Sequence, residues 1–243
     1  MPFDIEATLI LHHFIKPEHL IALMERKAFH LMRQDKQSDP RDGKLPDACF
    51  ENPHKGQLEE ILGVKGHFLK NHAMGIDARR SRRFIMSWTR DPSAHMREKY
   101  GENGRRCELQ ASAKHLTEML EYEWRGGCEF PPKRRDIAEI PGSFAQAELK
   151  KVIYANDGSP VSLVPSYFAT MLKDQNCFAQ ENEIRIEAVI QPDQIEVKET
   201  DTLIRWAVVS FRGIKVILGE NIALSEKDKI KWLASNLDVP ILN

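Results

Sequence analysis

The sequence is poor in features that staple, anchor or strongly charge a chain. Its 243 residues include four cysteines, Cys49, Cys107, Cys128 and Cys177. None forms a C-x-x-C pair, whereas structural zinc sites show short paired spacings. Free thiols in a reducing compartment are therefore expected. Long apolar runs are also absent. A membrane span needs ~20 apolar residues, but residues 9–15 are broken by His12 and His13, and Trp206–Phe211 stops after six residues. Charge of one sign is lacking too: 35 Lys+Arg against 36 Asp+Glu give a net charge of -1. This excludes a globally basic nucleic-acid coat and an acidic disordered tail. The opening MPFDIEATL has two acids and no basic stretch, so no secretory signal and a cytoplasmic location are expected, with no membrane partner. There is no G-x-x-x-x-G-K-[ST], G-x-G-x-x-G, H-E-x-x-H or G-x-S-x-G. Kinase, Rossmann, zincin and hydrolase readings have no motif behind them.

What is present is ordinary core-forming material. Apolar residues are 42% and charged residues 29%, enough to fold without a disulfide or metal. No repeat, low-complexity tract or linker divides the chain, so a single domain over 1–243 is expected. Strands are expected over 8–14, 28–33, 84–89, 106–110, 151–154, 181–190, 203–211, 214–218 and 238–242. Pro17 opens a helix with Leu20, Leu23 and Met24 on one face. Helices are also expected over 58–70, 93–100, 165–174, from an Ser112 cap through Trp124, and over 226–237 from an Ser225 cap with Ile230, Leu233 and Leu237 buried. Residues 34–56 and 125–146 read as irregular. The sum is an α+β fold with a mostly antiparallel sheet and flanking helices.

Four places could carry chemistry. The strand 181–190 puts Glu181, Glu183 and Arg185 on one face, roughly 6.6–6.8 Å apart in succession. Two readings are open: a paired-carboxylate site that binds hydroxyls and stabilises a developing cation, or an edge strand with a solvated charged face. Ser87 and Thr89 share a face of their strand, opposite Met86 and Trp88. Their hydroxyls suit a ligand or a carboxylate, or simply β propensity. Of His12 and His13, one faces each way, and either could hold a ribose or a diphosphate or be structural. Asp39-Pro40-Arg41-Asp42-Gly43 is turn chemistry first and a ligand loop second. The basic runs Arg79–Arg83 and Lys133–Arg135 lack interleaved aromatics. They read as a solvated face before a phosphate grip.

Taken in order, Asp39-Pro40, Ser87-Trp88-Thr89, Met96-Arg97-x-x-Tyr100-Gly101, Lys173…Glu181-x-Glu183-x-Arg185-Ile186 and Ile214–Gly219 resemble a bacterial family catalogued as domain of unknown function 2971. The resemblance spans roughly residues 8–242 and departs from the family pattern at Ser38 and Arg97. More distantly, the order is similar to the ADP-ribosyltransferase fold. That resemblance implies an NAD-using ADP-ribosyltransferase or NAD glycohydrolase acting through an oxocarbenium-like step, with NAD as substrate and no metal. It implies Glu183 as the catalytic carboxylate and Glu181 as the group that orients or deprotonates the acceptor. Ser87 and Thr89 would support them, and His12 or His13, with Arg185 and Tyr100, would hold the nucleotide. The acceptor, protein or nucleic acid, and the oligomeric state leave no trace in the residues. The alternative is a non-catalytic ligand- or partner-binding domain with a structural Glu/Arg network; a nucleic-acid-binding protein is the weaker third. The enzyme reading expects Glu183, Ser87 and a first-strand histidine to converge in a cleft. The binding-domain reading expects them apart, or the carboxylates paired with Arg185 and Lys173.

Overall fold

A computed structural model describes residues 5–37, 80–90, 92–123, 128–129, 145–155, 172–174, 181–190, 199, 202–208 and 210–242. The Asp39–Gly43 motif, the rest of the loop over 38–56, the helix expected over 58–70, the Lys133–Arg135 run and residues 165–171 lie outside the described residues.

The chain opens with strand β1 (Ile10–Ile15) and helix α1 (Pro17–Arg26). Pro17 sits in the first turn, where its missing N–H costs nothing. The helix buries Pro17, Leu20, Leu23 and Met24 and stops at Lys27, whose left-handed backbone (φ 49°) returns its N–H to Leu23 and Met24. Strand β2 (Ala28–Arg33) follows, and later β3 (Arg83–Thr89), helix α2 (Ala94–Gly101), β4 (Cys107–Ser112) and helix α3 (Ala113–Glu123). Ser93 caps α2 by accepting from the Met96 N–H, and Ser112 caps α3 by accepting from the His115 N–H. The later strands are β5 (Cys128–Glu129), β6 (Ala145–Lys151), β7 (Ile153–Ala155), β8 (Leu172–Asp174), β9 (Glu183–Ile190), β10 (Leu203–Ala207) and β11 (Lys215–Ile217). Helix α4 (Leu224–Asn236) and strand β12 (Ile241–Leu242) end the chain.

The architecture is α+β, and its main sheet is mostly antiparallel; β11–β12 and β7–β8 are the parallel pairs among the described strands. Strand β3 is its junction. One edge pairs with β9 along its whole length, from Arg83↔Val189 to Thr89↔Glu183. The other edge is shared. Strand β2 takes Phe84 and Ile85, while β1 meets β3 at His12↔Thr89. Beyond β2 lie β10 and β5; beyond β1 lie β4, β11 and β12. The sheet therefore forks at β3. Phe84, Met86 and Trp88 of β3 and Ile184, Ile186 and Ala188 of β9 form one apolar face of the core. Helix α1 packs against α4, and α3 against β6. Cys107 is a free thiol in this core, and burial pushes its pKa up to about 12. Among the described residues, no helix is long and apolar enough to cross a membrane.

Several expectations are corrected. The strand expected from 181 begins at Glu183, because Asn182 is left-handed (φ 45°) and breaks the alternation. The charged strand is not an edge: β3 and β6 flank β9. Its charged face is buried rather than solvated, as are Arg80 and Arg83 of the basic run. Residues 172–174, expected to be helical, form β8. Residues 128–129 and 145–146, expected to be irregular, lie in β5 and β6. Ala223, not Ser225, occupies the α4 cap, without a side-chain bond.

The turn after β11 packs tightly on the turn after α2. The Asn221 N–H bonds the Gly104 carbonyl at 2.9 Å, and a Cβ on Gly219 would be driven into the backbone oxygens of Gly104 and Arg106. Both obstacles are backbone and cannot swing aside. Gly219→Ala should therefore destabilise the fold by about 1–3 kcal/mol, read as a lower urea midpoint with an unchanged slope.

Candidate functional site

The register of the sheet builds the site. Glu183 of β9 lies opposite Thr89 of β3, Thr89 opposite His12 of β1, and His12 opposite Gln110 of β4. Directly paired residues share a face. Four polar side chains, far apart in the sequence, thus form a row across four strands. Where β1 leaves β3, the fork opens into a cavity of about 190 Å³. It is lined by His12, His13, Phe14, Gln37, Ser87, Trp88, Thr89, Met96, Tyr100, Glu181 and Glu183. Pockets for drug-sized ligands hold ~300–1,000 Å³, so this one suits one end of a larger molecule.

The structure thus gathers seven of the eight residues that the resemblance implies for the site. His12, His13, Ser87, Thr89, Tyr100, Glu181 and Glu183 all line this cavity. Arg185 does not. It is fully buried on Glu183, with Nε donating to Oε1 at 2.7 Å and Nη2 to Oε2 at 3.3 Å. The two side chains stand on one strand face, two residues apart, so the guanidinium fork meets both carboxylate oxygens. Arg185 therefore holds Glu183 rather than lining the space a ligand would fill.

Glu181 sits just before β9 and is fixed from two sides. The Thr89 hydroxyl donates to its backbone carbonyl at 2.6 Å. The Tyr100 hydroxyl and the Lys99 ammonium donate to its carboxylate, the latter at 3.2 Å. Lys99 also lies 4.9 Å from the Tyr100 ring centre. Helix α2 thereby closes one wall of the cavity. The side chain of Lys173, the expected partner for the carboxylates, lies outside the described residues.

The two histidines face opposite sides of β1, as alternation requires, yet both line the fork. His13 Nδ1 lies 2.7 Å from the Ser87 carbonyl oxygen, and its ring lies 5.4 Å from Trp88. A carbonyl only accepts, so Nδ1 carries the hydrogen. The ring is half-buried by exposure but closely packed. Burial, opposed by the Ser87 bond and aided by Arg106, lowers its pKa to about 4. His13 is therefore neutral near pH 7, and its Nε2 is an acceptor. His12 is more deeply buried, with Nδ1 2.7 Å from Glu108 Oε1. Burial acts to raise the Glu108 pKa, but bonds from His12 and Gln110 outweigh it and hold the carboxyl below its ordinary value.

Sequence reasoning missed Gln37, Phe14, Lys99 and, above all, Glu108. Nothing local marks Glu108, because its importance comes from the pairing of β4 with β1. Among the described residues, no group of three or more His, Cys, Asp or Glu side chains could hold a metal ion.

The cavity can thus offer a ligand two carboxylates, hydroxyls, an acceptor nitrogen and the rings of Tyr100, Trp88 and Phe14. That set suits a hydroxyl-bearing sugar joined to a planar ring.

Two measurements follow from these contacts. Arg185→Met strips a buried carboxylate of its counter-charge and should cost about 3–5 kcal/mol in chemical denaturation; adding Glu183→Gln should recover most of it. The second is a pH profile of stability. His13 and His30 both have pKa values lowered from 6.5 to about 4, chiefly by burial. Above pH 6.5 neither the folded nor the unfolded chain takes up these protons. Between 6.5 and 4 the unfolded chain does and the folded chain does not, so stability should fall as the pH drops through that window. His13→Gln should flatten part of that slope. In comparison with known proteins, the chain matches no protein-family model, no curated protein and no solved structure.

Proposed function

We propose that the chain is an NAD-consuming enzyme, an ADP-ribosyltransferase or NAD glycohydrolase, whose cavity takes the nicotinamide-ribose end of NAD. The observation that carries this reading is the gathering of His12, His13, Ser87, Thr89, Tyr100, Glu181 and Glu183 around one cavity at a fork in the sheet. The resemblance to the bacterial family of unknown function and, more distantly, to the ADP-ribosyltransferase fold adds to it.

In this reading the bond between nicotinamide and ribose breaks, and nicotinamide leaves with the bonding electrons. Positive charge builds on the ribose, where the Glu183 carboxylate, held in place by Arg185, stabilises it electrostatically. The acceptor, water or a side chain, bonds to the ribose carbon and gives its proton to Glu181. His13, neutral and accepting at Nε2, takes a ribose hydroxyl. Tyr100 and Trp88 supply aromatic surface for the nicotinamide ring.

A second reading, a non-catalytic ligand-binding domain, is favoured by one observation: both carboxylates already have cations, Glu183 on Arg185 and Glu181 on Lys99. The third, nucleic-acid reading loses support, because Arg80 and Arg83 of its basic run are buried.

Nicotinamide release from NAD by the purified protein separates the first two. Release by wild type, reduced roughly 10²–10³-fold in Glu183→Gln, is the expected result. No release and no NAD-dependent thermal shift would leave the binding-domain reading.

A further inference from the structure

We propose that Glu108 is a positioning residue that grips the His12 imidazole by its Nδ1–H and so presents the opposite ring nitrogen, Nε2, as the atom that meets a ligand. Where that ligand is the ribose of NAD, the proposal rests on the reading above; the Glu108–His12 geometry itself does not.

The argument begins with burial. Glu108 is 6% exposed on β4, and a buried carboxylate is costly unless it is paired and hydrogen-bonded. Its partners explain its place. Gln110 of β4 lies opposite His12 of β1, so Glu108, two residues along on the same face, is the diagonal neighbour of His12. A long side chain spans that gap of ~7–8 Å. Oε1 accepts from His12 Nδ1 at 2.7 Å and from Gln110 Nε2 at 2.9 Å. Arg97 Nε lies 3.5 Å from Oε2. A charged carboxylate only accepts, so the hydrogen of this bond belongs to Nδ1. A neutral imidazole protonated at Nδ1 has its lone pair on Nε2.

Glu108 thus fixes both the tautomer and the orientation of a ring that lines the cavity. His13 is fixed in the same sense by the Ser87 carbonyl. The two adjacent rings each spend Nδ1 on the protein, which leaves Nε2 for whatever enters the fork. The chemistry this selects is a ligand with hydroxyl donors, as on a ribose. A phosphodiester or a carboxylate has no hydrogen to give at neutral pH and fits poorly.

Nitrogen-15 NMR of the imidazole rings at roughly pH 8, above the ordinary histidine pKa of ~6.5, tests this directly. His12→Gln assigns the signal. Wild type should show His12 with its hydrogen on Nδ1. Glu108→Gln, which keeps a carbonyl acceptor, should retain that tautomer, and Glu108→Ala should move the hydrogen to Nε2. A wild-type His12 carrying its hydrogen on Nε2, or on both nitrogens, would overturn the proposal, as would an alanine variant with an unchanged tautomer. If the alanine variant does not fold, wild type and Glu108→Gln decide alone.

The same variants then go to the NAD assay. Glu108→Ala should lower kcat/KM roughly 10- to 100-fold, the loss expected for one charge-assisted hydrogen bond, with most of it restored in Glu108→Gln. If wild type releases no nicotinamide, the NAD reading fails, and the tautomer measurement still judges Glu108.

Discussion

A run of alternating charges buried on one strand face is the constraint around which this sheet is arranged. Glu183, Arg185 and Glu187 of β9 are each 3% exposed or less. Unpaired, any one of them would cost several kcal/mol, so the neighbouring strands must supply counter-charges at matching positions. Arg83 of β3 and Lys150 of β6 both donate to Glu187, at 2.7 and 2.6 Å, and Arg185 closes on Glu183. The opposite face of the same strands is apolar. A slip of one residue in β6 would set Lys150 against Ile184 or Ile186, and one in β3 would set Arg83 against Ala188 or Ile190. Charge pairing and core packing thus fix the same register.

That register makes the cavity. Because β9 holds β3 rigidly along one edge, β1 and β2 share the other and diverge. Backbone groups at such a fork lose ladder partners, and an unpaired buried group is costly. The Ser87 carbonyl instead receives the His13 side chain. One histidine thereby closes a gap in the ladder and becomes part of the cavity wall. Helix α2 completes the enclosure through Tyr100 and Lys99 on Glu181 and Arg97 beside Glu108. Glu181 is tied to α2, Glu108 to β1 and α2, and Glu183 to Arg185 of its own strand, so the space between them is set by these elements.

Much of this was legible in the sequence where the signal was local. Pro17 marked the start of α1, the Ser112 cap marked α3, and alternation marked β3 and most of β9. Residues of the candidate site were legible for the same reason, as polar intrusions into otherwise apolar strands: His12 and His13 in β1, Ser87 and Thr89 in β3, Glu183 in β9. What stayed hidden depends on pairing across long stretches of chain. The charges of β9 read equally well as a solvated edge, because burial is decided by β3 and β6. Arg185 looked like a ligand contact until its geometry with Glu183 was known. Glu108 looked like any acid in a half-polar strand, and only the alignment of β4 with β1 gives it a partner 96 residues away. The strand β6, AQAELKK, has too few apolar residues to signal itself and exists because β9 offers it a ladder.

Among the described strands, the forked sheet ends on three outer ones, β12, β5 and β6, and this bears on whether a second chain can add to it. An unpaired strand edge is a template for a second chain. Here β12 follows directly on Pro240, which has no N–H to offer. The third, β6, carries Glu148, Lys150 and Lys151 along it. The first of these begins beside a residue that cannot donate to a neighbour, and in a parallel in-register pair β6 would set Glu148, Lys150 and Lys151 each beside its own copy. Branching the sheet creates an extra margin where chains could stack into fibrils, and Pro240 beside β12 and the charges of β6 oppose that stacking.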